Sequence, residues 1–154
     1  MNLFSSEPLI NSFRDEYAFL SNFYPAEFRF YGLEWPTAEH AYQAGKASST
    51  AQFEQFRLPT LTAGGAKRLG ASVWKTLSED EKSEWLNHRV DHMIQVVRAK
   101  FYPGSHMAKL LLDTGYSTLI EGNEWGDTFW GMCGGKGENF LGRILESHRE
   151  SLRR

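Results

Sequence analysis

Three stretches of this chain of 154 residues carry side chains whose types and spacing suit chemistry. After Thr37, the residues Glu39, Gln43 and Lys46 stand at i, i+4 and i+7. A helix there projects a carboxylate, an amide and an ammonium from one face, with Tyr42 beside them. Such a trio can bind a ribose, a phosphate or a base edge; the alternative is a solvated face with ordinary i,i+4 pairing. The second stretch runs from Ile120 to Gly131 and gathers Glu121, Glu124, Trp125, Asp127 and Trp130 among glycines, without any apolar period. A carboxylate in such a loop can stabilise an oxocarbenium-like transition state or position water, and an indole can stack on a base. The alternative is a tight turn held by tryptophan. In the third, Gly134, Gly135 and Gly137 precede the helix that Asn139 introduces, and glycine amides at a helix N-terminus suit an anion. Gly137 stands where a Walker motif needs Ser or Thr, and Phe140 stands where the dinucleotide fingerprint needs its last glycine. The capacity is for phosphate in general.

Other candidates are weaker. His88 and His92 lie at i,i+4, but Arg89 replaces the glutamate of a zinc-protease motif and both lie opposite the apolar stripe of their helix, so they are expected to face solvent. No metal site follows. His40 and His148 read as packing or hydrogen-bonding residues, and Cys133 as a buried or idle thiol. Lys67 and Lys100 fall on helices. Lys100 borders the apolar stripe, where a lysine usually snorkels; a desolvated lysine would instead attack a sugar aldehyde as a Schiff-base nucleophile.

The elements that must position these groups can be read from local signals. Glu27–Phe30 and Leu33–Trp35 flank Tyr31-Gly32 as a short hairpin. Thr37 caps a helix running to about Ala47, a short helix covers about Ala51–Arg57, and Thr62 caps another that should end at Gly70. Ser78 and Glu81 form a capping box for the longest helix, whose stripe is Leu86, Val90, Met93, Val97 and Phe101. Ser105 restarts a helix ending near Gly115, Thr118–Glu121 is a brief strand, and Gly122–Gly137 is irregular. Asn139 caps a final helix that turns Leu141, Ile144, Leu145, His148 and Leu152 inward. The fold class is α+β, predominantly helical, in one domain over residues 1–154.

Composition narrows the functional classes. With 41% hydrophobic residues the chain is not disordered, and no window approaches the ~20 apolar residues of a membrane helix. A single cysteine excludes a disulfide framework. Met1–Phe13 shows neither a basic nor an apolar signal region, so a cytoplasmic location is expected. A net charge of −2 lacks the basic excess of a phosphate-gripping nucleic-acid binder. The aromatic content is high, at 5 Trp, 6 Tyr and 11 Phe, and much of it sits beside Gly, Asn and Pro, where rings can stack on flat ligands or anchor a core edge.

Together the segments resemble a known family. Ala18–Pro25 and Pro36–Lys46 are similar to the opening motifs of the NADAR, or YbiA-like, family, and Ala66–Gly70 to its central A-K-x-x-G element. Met93–Phe101 is similar to its following helix. Glu121–Asn123, Asp127, Trp130-Gly131 and Gly137–Gly142 resemble the closing motifs. The order holds from about Phe13 to Leu152. Gly45 replaces a usual alanine and Glu146 a usual methionine, which affects packing. The resemblance implies a mainly helical domain and an N-glycosidase cutting between ribose C1 and a nitrogen. One branch releases ribose 5-phosphate from early riboflavin-pathway intermediates; another removes ADP-ribose from guanine in nucleic acid. The implied partner is therefore a small phosphoribosyl substrate or ADP-ribosylated nucleic acid, with no membrane, metal or organic cofactor. By position the resemblance points to Glu39, Lys67, Glu121 and Asp127 as catalytic residues. The candidate substrate-binding residues are Phe23, Tyr24, Gln43, Lys46, Trp130, Gly131 and Asn139, of which Trp130 and Asn139 match the family's characteristic positions. Glu121 or Asp127 would stabilise the sugar cation, and Trp130, with Phe23 or Tyr24, would stack on the base. Lys46 and the Gly134–Gly137 loop would hold phosphate, and Lys67 would either bind phosphate or trap the opened ribose as an imine. A silent reader of ADP-ribose or NAD derivatives would use the same binding groups.

Overall fold

The computed structural model describes residues 8–154, so the reading of Met1–Phe13 lies partly outside the described residues. In chain order its elements are strand β1 (Leu9–Ile10), a 3-10 helix (Asp15–Leu20), strands β2 (Phe28–Phe30) and β3 (Leu33–Trp35), and helices α1 (Ala38–Ala44) and α2 (Thr50–Gln55). Helices α3 (Ala63–Thr76), α4 (Glu79–Lys100) and α5 (His106–Asp113) follow. Strands β4 (Thr118–Leu119), β5 (Gly122–Asn123) and β6 (Met132–Cys133) then lead into helix α6 (Phe140–Leu152). Helix dominates and each sheet among the described residues has two strands, so the class is α+β. The contacts divide the chain into a central unit, Asn22–Lys100, and a terminal unit made of residues up to Ser21 with Phe101–Arg154.

The central unit follows its local signals closely. β2 and β3 pair antiparallel, with Phe28 opposite Trp35 and Phe30 opposite Leu33. Tyr31 and Gly32 take φ of 50° and 75°, the left-handed pair that a two-residue hairpin turn requires. Thr37, Ser49 and Thr62 cap α1, α2 and α3 by accepting from the backbone N–H of His40, Gln52 and Gly65. Ser78 and Glu81 exchange reciprocal bonds of 3.1 Å, the capping box expected at the start of α4. Phe28, Phe30, Trp35, Phe56, Val73, Leu77 and Val96 pack against the alanines of α1, Ala38, Ala41 and Ala44, to form the core.

Several expectations are corrected. α3 does not stop at Gly70 but continues to Thr76. Gly70 is small for a tertiary reason: a Cβ there would lie 1.9 Å from Gln43 Oε1 of α1. On α4, Met93 and Val97 are buried as expected, but Leu86 is 47% exposed. The larger Trp85 takes the inward place one position round the helix, and Val96 and Lys100 join it on the buried face. Lys100 does not snorkel; it is 3% exposed. His88 is exposed as expected, whereas His92 is half-buried, because its Nε2 reaches the Ala41 carbonyl at 3.1 Å.

In the terminal unit β1 pairs parallel with β4, Leu9 opposite Thr118, and β5 pairs parallel with β6, Gly122 opposite Met132. α6 packs on α5 and β4, and α5 on the 3-10 helix. Leu111, Leu119 and Leu145 are completely buried; along α6, Leu141, Ile144 and His148 also face inward, while Leu152 is half-buried. Ser105 caps α5. Asn139 occupies the cap position of α6 with φ of 51°, yet its side chain makes no cap. Its Oδ1 accepts from the Glu121 N–H and its Nδ2 donates to the Leu119 carbonyl, both at 2.9 Å. These backbone groups beside β4 need partners more than the helix end does. Glu146 serves the same stretch, accepting the Leu119 N–H at 2.9 Å. His40 and His148 are hydrogen-bonding residues: His40 meets Thr37 Oγ1 at 2.7 Å and the Leu61 carbonyl at 2.8 Å, and His148 meets the Phe101 carbonyl at 2.7 Å.

Replacing Ser78 by Ala removes one half of the capping box and should lower the unfolding free energy by about 1 kcal/mol, with an unchanged denaturant slope. Urea unfolding measures this. An unmoved midpoint would mean that packing alone fixes the start of α4.

Candidate active site

All seven residues of α1 are buried, so its polar face is not a solvated one. Glu39 is 7% exposed, and Gln43, one turn on, donates from Nε2 to Glu39 Oε1 at 2.8 Å. The Glu39 backbone N–H donates to the Asn22 carbonyl at 2.9 Å. Gln43 Oε1 has no hydrogen-bond partner among the described residues and rests against Gly70. The amide is therefore oriented by the carboxylate it serves. Lys46 is half-buried, its ammonium 5.9 Å from the centre of the Trp85 ring. Burial pushes the Lys46 pKa down, the Glu39 carboxylate pulls it back up, and Arg89 adds a further downward push.

Tyr24 is half-buried, and the Lys100 ammonium lies 5.9 Å from its ring centre. Burial pushes the Lys100 pKa down from 10.5 to about 7. A lysine divided between amine and ammonium near neutrality suits acid–base or nucleophilic work. Lys100 lies outside the residues to which the family resemblance points; the sequence signal for it is its position between Val97 and Phe101 on the apolar stripe. Lys67 is exposed on α3, three residues before Gly70, and Phe23 is also exposed. Within the central unit the structure thus joins Glu39 directly to Gln43, couples Lys46 to Glu39 electrostatically, and sets Tyr24 by Lys100.

In the terminal unit the loop from Glu121 to Asn139 is ordered by its own polar groups. Asp127 Oδ1 accepts from the backbone N–H groups of Phe129 and Trp130 at 3.0 and 2.9 Å. Asn123 grips the Asp127 backbone from both sides: its Oδ1 accepts at 3.0 Å and its Nδ2 donates at 2.8 Å. The same Nδ2 lies 3.2 Å from Glu121 Oε2. Gly131 is buried, and a Cβ there would fall 1.8 Å from that oxygen, so the missing side chain leaves room for the Glu121 carboxylate. Trp130 is half-buried, edge-on to Phe129 at 4.8 Å, with Phe140 at 6.5 Å. Trp125, Gly134, Gly135, Lys136 and Gly137 are exposed, and Cys133 is half-buried. Chemically, this loop presents a half-buried carboxylate, Glu121, beside an indole. Asp127 spends one oxygen on the loop itself.

Among the described residues no group of three or more His, Cys, Asp or Glu is placed to hold a metal ion, and no helix is long and apolar enough to cross a membrane.

Comparison with known proteins follows the same residues. A family model described as the NADAR domain matches residues 9–153, running through both units. The chain is 32% identical over 139 residues to N-glycosidase YbiA of Escherichia coli (strain K12), covering 90% of this chain and 83% of that protein. It is 37% identical over 139 residues to a riboflavin biosynthesis protein of Vibrio vulnificus, of which it spans only 36%. The NMR structure of E. coli YbiA superimposes with a TM-score of 0.80 at 32% identity, covering 97% of this chain and 88% of that one.

The depressed pKa of Lys100 has a thermodynamic consequence. Between pH about 7 and 10.5 the unfolded chain holds a proton that the folded chain has shed, so this group makes stability rise as pH rises through that window. Below it, folding carries the cost of burying an ammonium. Urea unfolding of the wild type and Lys100→Met across this range should show the variant's relative advantage shrinking as pH increases. A difference that stays constant would place the amine in an ordinary environment.

Proposed function

The chain belongs to the NADAR family and is an N-glycosidase, and from that premise we propose that it hydrolyses the bond joining ribose C1 to a nitrogen of a small phosphoribosyl substrate. The observation that carries the reading is the Glu39 carboxylate, buried on α1 and held by Gln43, in the unit that also buries Lys100. Cleavage of an N-ribosyl bond builds positive charge on C1 and the ring oxygen while the departing nitrogen becomes negative. The enzyme must therefore face the cation with a carboxylate and supply a proton to the base. A shielded carboxylate with a fixed rotamer is already oriented before the charge develops, so it stabilises that charge without reorganising. An amine with a pKa of about 7 suits the proton transfer, or can trap the opened sugar as an imine.

The remaining assignments are part of the same proposal. Glu121 is the second carboxylate, and Asp127 acts with it by ordering the loop. Lys67, exposed on α3, serves phosphate. Phe23, Tyr24, Lys46 and Trp130 supply stacking and anion contacts, while Gln43, Gly131 and Asn139 shape the surroundings of Glu39 and Glu121. Riboflavin biosynthesis in the name of the Vibrio relative supports an aminopyrimidine ribosyl phosphate as the substrate; ADP-ribosylated guanine contains the same kind of bond and is the alternative. A cytoplasmic location and a single domain over residues 1–154 belong to the same proposal.

Wild type and Glu39→Gln should be incubated with a ribosylaminopyrimidine phosphate and with an ADP-ribosyl-guanine oligonucleotide, and products followed by mass spectrometry. Wild type should release ribose 5-phosphate from the first, and Glu39→Gln should lose ~100-fold or more in kcat. Full turnover by the variant sinks the role of Glu39. Binding of both substrates without turnover by the wild type would make the protein a reader instead. Borohydride trapping with peptide mapping should mark Lys100 if the amine is covalent, and an adduct on Lys67 would transfer that role.

A further inference from the structure

Asn123, on β5 of the terminal unit, is 7% exposed and makes three side-chain hydrogen bonds. Its Oδ1 accepts the Asp127 N–H at 3.0 Å, and its Nδ2 donates to the Asp127 carbonyl at 2.8 Å. That pairing fixes which way the amide lies. Turned over, it would set N–H against N–H and oxygen against oxygen in a buried place. The second N–H of Nδ2 is therefore committed in direction, and it meets Glu121 Oε2 at 3.2 Å.

The Glu121 backbone is held separately. Its N–H donates to Asn139 Oδ1 and its carbonyl accepts the Met132 N–H, both at 2.9 Å. These bonds leave the side chain to turn about its own torsions. Room for carboxylate and amide to meet comes from Gly131, where a Cβ would lie 1.8 Å from Glu121 Oε2 and 2.8 Å from Asn123 Nδ2. Asp127, which orients the Asn123 amide, also accepts the Phe129 and Trp130 N–H groups on its Oδ1. Asn123 thus ties the Glu121 carboxylate to the turn that carries the Trp130 indole. Two of its three bonds close that turn. The third is not needed for the turn, and it ends on the carboxylate that the proposed function sets against the sugar cation. We propose that Asn123 is a positioning residue for N-ribosyl cleavage: its amide, locked by the Asp127 backbone, holds the Glu121 carboxylate in the gap at Gly131. A carboxylate held in this way needs no reorientation as C1 becomes positive. The role in catalysis rests on the proposed function; the Asn123–Glu121 bond does not.

The test is a double-mutant cycle on the purified protein, read by urea unfolding and by steady-state hydrolysis of the ribosylaminopyrimidine phosphate. Asn123→Asp keeps an acceptor for the Asp127 N–H and puts a second carboxylate oxygen where the donor to Glu121 was. It should lower the urea midpoint, and reduce kcat ~30-fold or more with KM held within about threefold. In the Glu121→Gln background the introduced amide can donate to the introduced carboxylate. There Asn123→Asp should lower the midpoint less than about half as much, and leave the residual kcat unchanged. Additive losses of kcat make Asn123 a residue of the turn alone and overturn the proposal, even where the midpoints couple. Asn123→Ser, which brings no second charge, carries the kcat half of the cycle if Asn123→Asp does not fold. Wild-type turnover with kcat unchanged in the Asn123 variants refutes the positioning role and leaves the N-glycosidase reading standing. A wild type that hydrolyses neither ribosyl substrate refutes that reading and the catalytic role resting on it, while coupled midpoints still report the bond.

Discussion

The rest of the central unit is built around one constraint: α1 is seven residues long, carries Glu39, His40 and Gln43, and is buried on every side. A polar group removed from water must find a partner within the protein or destabilise the fold by kilocalories. Each residue finds one by a different route, although Gln43 Oε1 itself has none among the described residues and rests against Gly70. Thr37 serves the His40 backbone and ring, Leu61 takes the other ring nitrogen, Gln43 meets Glu39, and Asn22 accepts the Glu39 N–H. Around these fixed bonds the neighbours must come very close. Ala38, Ala41 and Ala44 let the core aromatics in, Gly70 lets α3 reach Gln43, and Gly45 lets Trp85 and His92 of α4 in. A helix held by polar bonds and by small-residue contacts can neither rotate nor slide without breaking both sets.

Fixed polar groups in a dry setting are what charge development at a sugar requires, and the cost appears elsewhere. Lys100 is buried where the ammonium is disfavoured, and Glu39 is buried where the Gln43 amide donates to it. The loop of the terminal unit uses another strategy. There Asn123, Asp127 and Asn139 bind backbone groups to hold an irregular segment rigid, and the carboxylate of Glu121 occupies the gap left at Gly131. One unit protects its charged groups by helix packing; the other fixes its loop by side chains that mimic secondary structure.

Features encoded locally were legible in the sequence. The hairpin turn, the capping threonines and serines and the box opening α4 depend on residues a few positions apart, so pattern and chemistry identify them. What depended on distant partners was misread. Gly70 looked like a helix stop because its neighbour Gln43 is remote in sequence, and Asn139 looked like a cap because Leu119 and Glu121 are not adjacent to it. Lys100 and His92 looked solvent-bound because one-dimensional periodicity does not show that α4 turns Trp85 inward in place of Leu86. Gly45 registered as a departure in packing, and the contact with Trp85 and His92 gives that departure its physical content. For the candidate site, residue types and spacing identified Glu39 and Gln43 as a pair, while their burial and the state of Lys100 required coordinates.

The pairing of β1 with β4 bears on how the molecule is made. Leu9 and Ile10 find their partners only at Thr118 and Leu119, a parallel ladder closed across most of the chain. Every residue of the central unit leaves the ribosome before that partner does, so helices, hairpin and core can form while the first strand is still waiting. A contact of such sequence separation is slow to close, because the entropy of the intervening loop must be overcome first. The first strand is thus ordered late in synthesis, and until then its backbone donors and acceptors remain an open edge for which a chaperone or a neighbouring nascent chain can compete.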